Sequence, residues 1–308
     1  MITVLAGGVG AARFLEGVVQ VVEPAQIAAI VNTGDDIVLH GLHITPDVDI
    51  VTYTLAGIIE PAQGWGVQGD TTAVLGMLKR LGADTWFLLG DQDLAVHIRR
   101  SERLRQGATP TEVAGEVARA LGVAVQILPM TDATVATQII TPAGEMHFQE
   151  FLVRRRAADA VLGVRFHGIE HAQPTVQVRD ALATSQAILI APSNPIVSVG
   201  TILAVPGMRA AIVASPARVV AVSPIVGGAA IKGPAAPMLH AAGYAVSALG
   251  VAHCYHGLID ALVIDHADAA LADDIRALGI DVIITDTIMR DAESKRLLAA
   301  TTLELALR

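Results

Sequence analysis

The 308 residues carry 30 acidic and 21 basic side chains, and the resulting formal charge of −9 speaks against a general nucleic-acid surface. Hydrophobic residues make up 53% of the chain, yet the most apolar stretch, Ala187–Gly207, holds Pro192, Pro195 and Pro206, so it reads as buried strand and loop rather than a membrane span. One cysteine, Cys254, excludes an intrachain disulfide framework, and without a signal-type opening segment the expected location is cytoplasmic.

Ile2–Ala6 is strand-like and runs into Gly7-Gly-Val-Gly10, then a helix-like Ala11–Val19. Gly7, Gly8 and Gly10 would let the backbone approach a diphosphate, the helix start adds free N–H groups, and Arg13 is placed to clamp phosphate. A second strand, Ile27–Val31, leads through Asn32 and Thr33 to Asp35 and Asp36, and Thr45-Pro-Asp-Val-Asp49 adds Asp47 and Asp49. Four carboxylates beside a phosphate loop suit a Mg²⁺-assisted phosphoryl transfer, because hard oxygen ligands hold that ion while phosphates complete its shell. Asp35 and Asp49 are the expected ligands, and Asp47 is read as holding the turn. Asp35 also stands where an NAD enzyme would bind ribose. An NAD-dependent oxidoreductase, and a nucleotide- or NAD-binding regulatory protein without turnover, are therefore competing readings.

Further along, Trp65 between glycines offers a stacking face, and Thr71–Leu81 reads as a helix capped by Asp70 or Thr71. Thr85–Leu89 reads as a strand, and His97, Arg99, Arg100, Arg103 and Arg105 as solvated helix faces. A helix over Pro110–Leu121 and a strand over Val123–Leu128 follow. Thr137–Thr141, Met146–Val153 and Gly163–His167 suggest a hairpin with a third strand, hence an inserted β-rich subdomain at 131–173 and a core made of 1–130 and 174–308. The strand Ala187–Ile190 ends in a polar loop whose Ser193, Asn194, Ser198 and Gly200 are placed for a ligand rather than for packing. Strands at Val219–Val222 and Val282–Thr285, and helices at Pro234–Ala242, His253–Leu258 and Ala292–Leu307, complete an alternation that argues for an α/β parallel sheet with helices on both faces. Lys232 is a further phosphate contact by charge.

Taken as a set and in order, Gly7-Gly-Val-Gly10, Val31-Asn-Thr33, Thr45-Pro-Asp-Val-Asp49, Leu89-Gly-Asp91-Gln-Asp93, Met146-His-Phe-Gln149, Ala191-Pro-Ser-Asn-Pro195 and Ala221-Val-Ser-Pro-Ile225 resemble the 2-phospho-L-lactate transferase family, nearest its actinobacterial phosphoenolpyruvate branch. The resemblance implies a Rossmann-like homodimer in coenzyme F-420 biosynthesis. It would pass the phospho-acyl part of a guanosine diphospho-linked three-carbon acid to a deazaflavin alcohol, releasing GMP, with Mg²⁺. Asp49 matches the family aspartate that contacts the deazaflavin and becomes the expected catalytic residue. A lysine that the family carries before Leu-Gly-Asp is Leu88 here.

Overall fold

Seven short apolar runs assemble into one parallel sheet in the computed structural model, which describes residues 1–308. They are β1 (Ile2–Ala6), β2 (Ile27–Val31), β3 (Gln126–Pro129), β4 (Ala187–Ile190), β5 (Arg218–Val222), β6 (Ala261–Asp265) and β7 (Asp281–Thr285). The order across the sheet is β7-β6-β5-β4-β1-β2-β3, with every pair parallel. Alternate side chains enter opposite cores: Leu5, Ile30 and Ile190 pack with Val178 and Ile202 on one face, while Val4, Val31 and Leu189 pack with Phe14 and Leu298 on the other. Burial on both faces explains why these strands read as continuous apolar runs. The chain winds outward from β1 through β2 and β3, then restarts at β4 on the other side. The crevice between the ends of β1 and β4 is therefore the topological switch point at which open α/β sheets bind ligands. No helix is long and apolar enough to cross a membrane.

Between β2 and β3 lie a short hairpin, Ile37–Leu39 with Leu42–Ile44, and the helices α2 (Pro46–Leu55), α3 (Ala73–Arg80) and α4 (Asp91–Arg105); α1 (Gly8–Val18) follows β1. Between β3 and β4, the strands Gly144–His147, Ala136–Thr141 and Gly163–His167 form an antiparallel sheet in that order.

Several sequence expectations need correction. Thr85–Leu89 is not a strand; Leu89 and Phe87 instead join Ile44 and Leu94 in a small apolar cluster, where no partner strand is available. The expected strand Met146–Val153 ends at His147, whose Nδ1 accepts from the Gln149 N–H while Nε2 donates to the Asp36 carbonyl, and the chain then coils through a π-helical turn at Glu150–Arg154. The helix expected at His253–Leu258 spans Ala248–Cys254, because Ser247 Oγ caps it through the Gly250 N–H. α2 and the buried strand β6 were not anticipated.

Candidate active site

A cleft of about 530 Å³ opens over the ends of the central strands. Gly7, Gly8, Gly10 and Arg13 line it from the β1 side, and Pro192, Ser193, Asn194 and Ser198 from the β4 side. The two loops are pressed together. A Cβ on Gly10 would lie 2.4 Å from the Pro192 carbonyl oxygen, and one on Gly7 would lie 2.7 Å from the Ser198 Cβ. Glycine at these two positions is thus required by loop-to-loop packing, which is a different reason from the backbone–ligand approach expected above. Ser193 Oγ accepts from the Gly7 N–H at 3.3 Å, and Asn194 Oδ1 accepts from the Ile196 N–H at 3.0 Å to hold its own turn. The N-cap of α1 makes no side-chain bond; the Gly8 N–H meets the Asp47 carboxyl, and the N–H groups that follow it in the first turn remain available to an anion. Arg13 and Lys232 supply positive charge in the cleft, with Lys232 Nζ donating to the Gln63 carbonyl at 2.7 Å.

Asn32, Thr33 and Gly200 stand behind this lining. Asn32 Nδ2 donates to Asp47 Oδ2 at 2.9 Å and its Oδ1 accepts from the Gly34 N–H, while Gly200 packs on the Pro195 carbonyl. Thr33 is buried and its hydroxyl has no partner. Asp47 and Asp49 fall in the first turn of α2, which begins with Pro46 at a position suited to proline. The carboxylate whose charge bears most on Asp35 is Asp47. Burial first, then the Asp47 charge, pushes the Asp35 carboxyl well above its ordinary value, and Asp35 Oδ1 has no hydrogen-bond partner. Burial likewise raises Asp47 to about 6, against the pull of its bonds to Asn32 and the Gly8 backbone. Two acidic groups are thus held together in the cleft without a positive counter-charge of their own.

Asp49 has a different setting. Arg100 donates from Nη1 to Asp49 Oδ2 at 3.0 Å and from Nη2 to Oδ1, which uses both carboxylate oxygens in a buried bidentate pair. His97 Nδ1 accepts from Arg100 Nη1 at 3.0 Å, and its Nε2 stands 3.3 Å from Asp93 Oδ1, which also accepts from the Tyr53 hydroxyl at 2.7 Å. Burial would raise the Asp93 carboxyl, but the contacts with His97, Tyr53 and Arg100 outweigh it and hold the group below its ordinary value. Asp49, Asp93 and His97 bring three potential metal-ligand atoms within 4.8 Å of one another. Arg100 already supplies positive charge there.

This network corrects the reading of a solvated basic helix: Arg99 is exposed, but His97 and Arg100 are buried. The spacing Asp93, His97, Arg100 placed the three on one face of a helix, and Asp49 with Tyr53 repeats that spacing on α2. That periodicity was the available signal. The expected capping also exchanges partners: Asp91 accepts from the N–H groups of Ala73 and Val74 at the start of α3, whereas Asp70 accepts from those of Gln92 and Asp93 and so fixes the turn carrying Asp93.

Apolar and aromatic side chains also line the cleft: Trp65, Phe87 and Leu88, with Phe148, Leu152 and Val153 of the segment between β3 and β4.

A family model, 2-phospho-L-lactate transferase CofD, matches residues 2–301. The chain belongs to the 2-phospho-L-lactate transferase CofD family. A 2-phospho-L-lactate transferase of Methanococcoides burtonii is 39% identical over 94% of each chain. A phosphoenolpyruvate transferase of Kitasatospora aureofaciens is 42% identical over 99% of this chain and 97% of its own. Family membership sets this protein among the transferases. A solved UPF0052-family protein of Bacillus halodurans, 18% identical over 98% of both chains, superposes with a TM-score of 0.63 and so shares the fold of this CofD-family chain.

Proposed function

We propose that the protein moves a phosphoenolpyruvyl, or 2-phospholactyl, group from a guanosine diphospho-linked donor to the ribityl hydroxyl of the deazaflavin 7,8-didemethyl-8-hydroxy-5-deazariboflavin, releasing GMP, as a cytoplasmic step of coenzyme F-420 biosynthesis. The observation that carries this reading is one cleft at the sheet's switch point lined both by cationic and N–H-bearing groups and by aromatic and apolar side chains. The first suits a diphosphate, the second a flat ring system. Relatives bearing either transferase name align over nearly the whole chain, so the two donors stay together in the proposal.

Mg²⁺ fits the Asp35–Asp47 pair better than the Asp49 position. Asp35 has an unpartnered buried oxygen, whereas both oxygens of Asp49 face Arg100. Asp35 and Asp47 would hold the ion, whose bound charge would offset that of the donor phosphates. The first turn of α1 and Arg13 bind and orient the phosphates, and Lys232 adds charge near Arg13. Trp65, Phe87 and Leu88 seat the deazaflavin, while Phe148 and Leu152 exclude water from the reacting end. Leu88 supplies apolar contact where family members carry lysine, so acceptor binding rests here more on packing than on charge. The exposed Val74, Met77 and Leu81 on and just after α3 offer an apolar face to a second copy, in line with a homodimer, which sedimentation would test.

Mass spectrometry of the product formed when the purified protein is given the deazaflavin with each donor tests the function. A deazaflavin adduct carrying the three-carbon phosphate, formed in step with GMP, is expected. Nucleotide binding with no adduct from either donor would favour a regulatory protein instead.

A further inference from the structure

Resting on the transferase reading, we propose that Asp93 is the group that receives the proton of the attacking acceptor hydroxyl, with Tyr53, His97 and Arg100 as its positioning residues. Four carboxylates face the cleft, and the structure gives them unequal freedom. Asp35 and Asp47 are the pair suited to a cation, and Asp49 has both oxygens engaged by Arg100. Asp93 remains. Its Oδ1 is fixed by the Tyr53 hydroxyl at 2.7 Å, with His97 Nε2 3.3 Å away but outside hydrogen-bond geometry, while no protein group bonds its Oδ2. A carboxylate with one oxygen anchored and the other free toward a substrate cleft is oriented without being consumed.

The arrangement behind it is too costly to be casual. Asp49, Arg100 and His97 are all buried between α2 and α4, where taking charges from water carries a penalty that hydrophobic packing would not incur. Because guanidinium nitrogens only donate, His97 Nδ1 must accept from Arg100, which leaves the ring proton on Nε2, the nitrogen facing Asp93. Asp49 thereby acts at a distance: it fixes Arg100, which sets the His97 tautomer and so turns a ring N–H toward Asp93. Asp70 completes the placement by accepting from the Asp93 backbone N–H at 3.1 Å.

In the step itself the acceptor oxygen forms a bond to the phosphorus bearing the three-carbon group, as the bond from that phosphorus to the GMP oxygen breaks. GMP leaves with the electron pair, and the hydroxyl proton passes to Asp93 Oδ2 and then to water. No oxidant or further reactant is required. Orientation of an attacking oxygen by an ionised carboxylate is the same use of aspartate that kinases make.

The test is steady-state kinetics of Asp93→Asn at saturating donor, with guanosine diphosphate binding measured by calorimetry on the same preparation. The proposal expects kcat to fall by about a hundredfold or more, the acceptor KM to change little, and nucleotide affinity to stay at the wild-type value. Asp93→Glu, which returns the charge, should recover part of the lost kcat. Tyr53→Phe should lower kcat at unchanged nucleotide affinity, and it replaces Asp93→Asn as the deciding variant if the latter fails to bind nucleotide. A nucleotide-binding Asp93→Asn, or in its stead Tyr53→Phe, with kcat near wild type overturns the proposal. A wild-type protein that binds guanosine diphosphate but transfers from neither donor overturns the transferase reading itself, which is a different result from an active wild type with an active variant.

Discussion

Asp49 and Arg100 form a buried ion pair across α2 and α4 in which the guanidinium meets both carboxylate oxygens. Removing one partner strands the other charge in the interior, so Asp49→Asn should cost about 3–5 kcal/mol of stability. Asp49→Leu combined with Arg100→Met should cost less than either single change. Denaturant unfolding of Asp49→Asn, the double variant and its two single changes checks this. A stability loss below about 1 kcal/mol for Asp49→Asn, a loss typical of surface pairs, would mean that the pair does not form in solution.

The cation site makes a prediction about pH. Asp47 has its folded pKa raised to about 6, so the folded state binds its proton more tightly than the unfolded chain. The stability it contributes is full below pH near 4, the usual carboxylate range, and is lost as pH rises through 6. Asp35 acts in the same direction. Without metal, the melting temperature should therefore decline across that window, with other groups superimposed. Added Mg²⁺ should raise it at pH 7.5 and do little at pH 5. Asp35→Asn should remove most of the Mg²⁺ effect, and thermal melts over a pH series with and without chelator measure all three.

Loop packing and phosphate binding separate in a pair of variants. Gly10→Ala places a methyl against the Pro192 carbonyl and should lower the melting temperature. Arg13→Ala should leave it nearly unchanged while weakening guanosine diphosphate binding by about 1.5–3 kcal/mol, roughly ten- to a hundredfold. Calorimetry beside thermal denaturation distinguishes the two, and undiminished affinity in Arg13→Ala would remove that residue from the phosphate site.

Trp65 lines the cleft and is partly exposed. Trp65→Ala should raise the acceptor KM, by about threefold to tenfold for the loss of one aromatic face, and leave nucleotide affinity alone. Acceptor-dependent kinetics check this; an unchanged KM would place the ring system elsewhere.

The central sheet was legible because its strands are buried on both faces and show as uninterrupted apolar runs between glycine-rich turns, as at Ile27–Val31 and Ala187–Ile190. The crevice was legible for the same reason, since both polar loops follow such runs. What stayed hidden depends on partners distant in sequence. Asp47 and Asp49 differ by two positions in one helical turn, yet one meets Asn32 and the other Arg100, a distinction set by how the end of β2 and α4 lie beside α2. Thr85–Leu89 has the apolar run of a strand and lacks only a neighbour to pair with. His97 and Arg100 looked like part of a charged surface because their buried counter-charge lies about fifty residues earlier.

The most direct measurement of the account is a crystal structure with guanosine diphosphate and Mn²⁺, using the anomalous signal of the metal. The account predicts a peak between the Asp35 and Asp47 carboxylates, in contact with a nucleotide phosphate at the start of α1 beside Arg13. A peak among Asp49, Asp93 and His97 with Arg100 displaced, or nucleotide bound outside the crevice between β1 and β4, would contradict it.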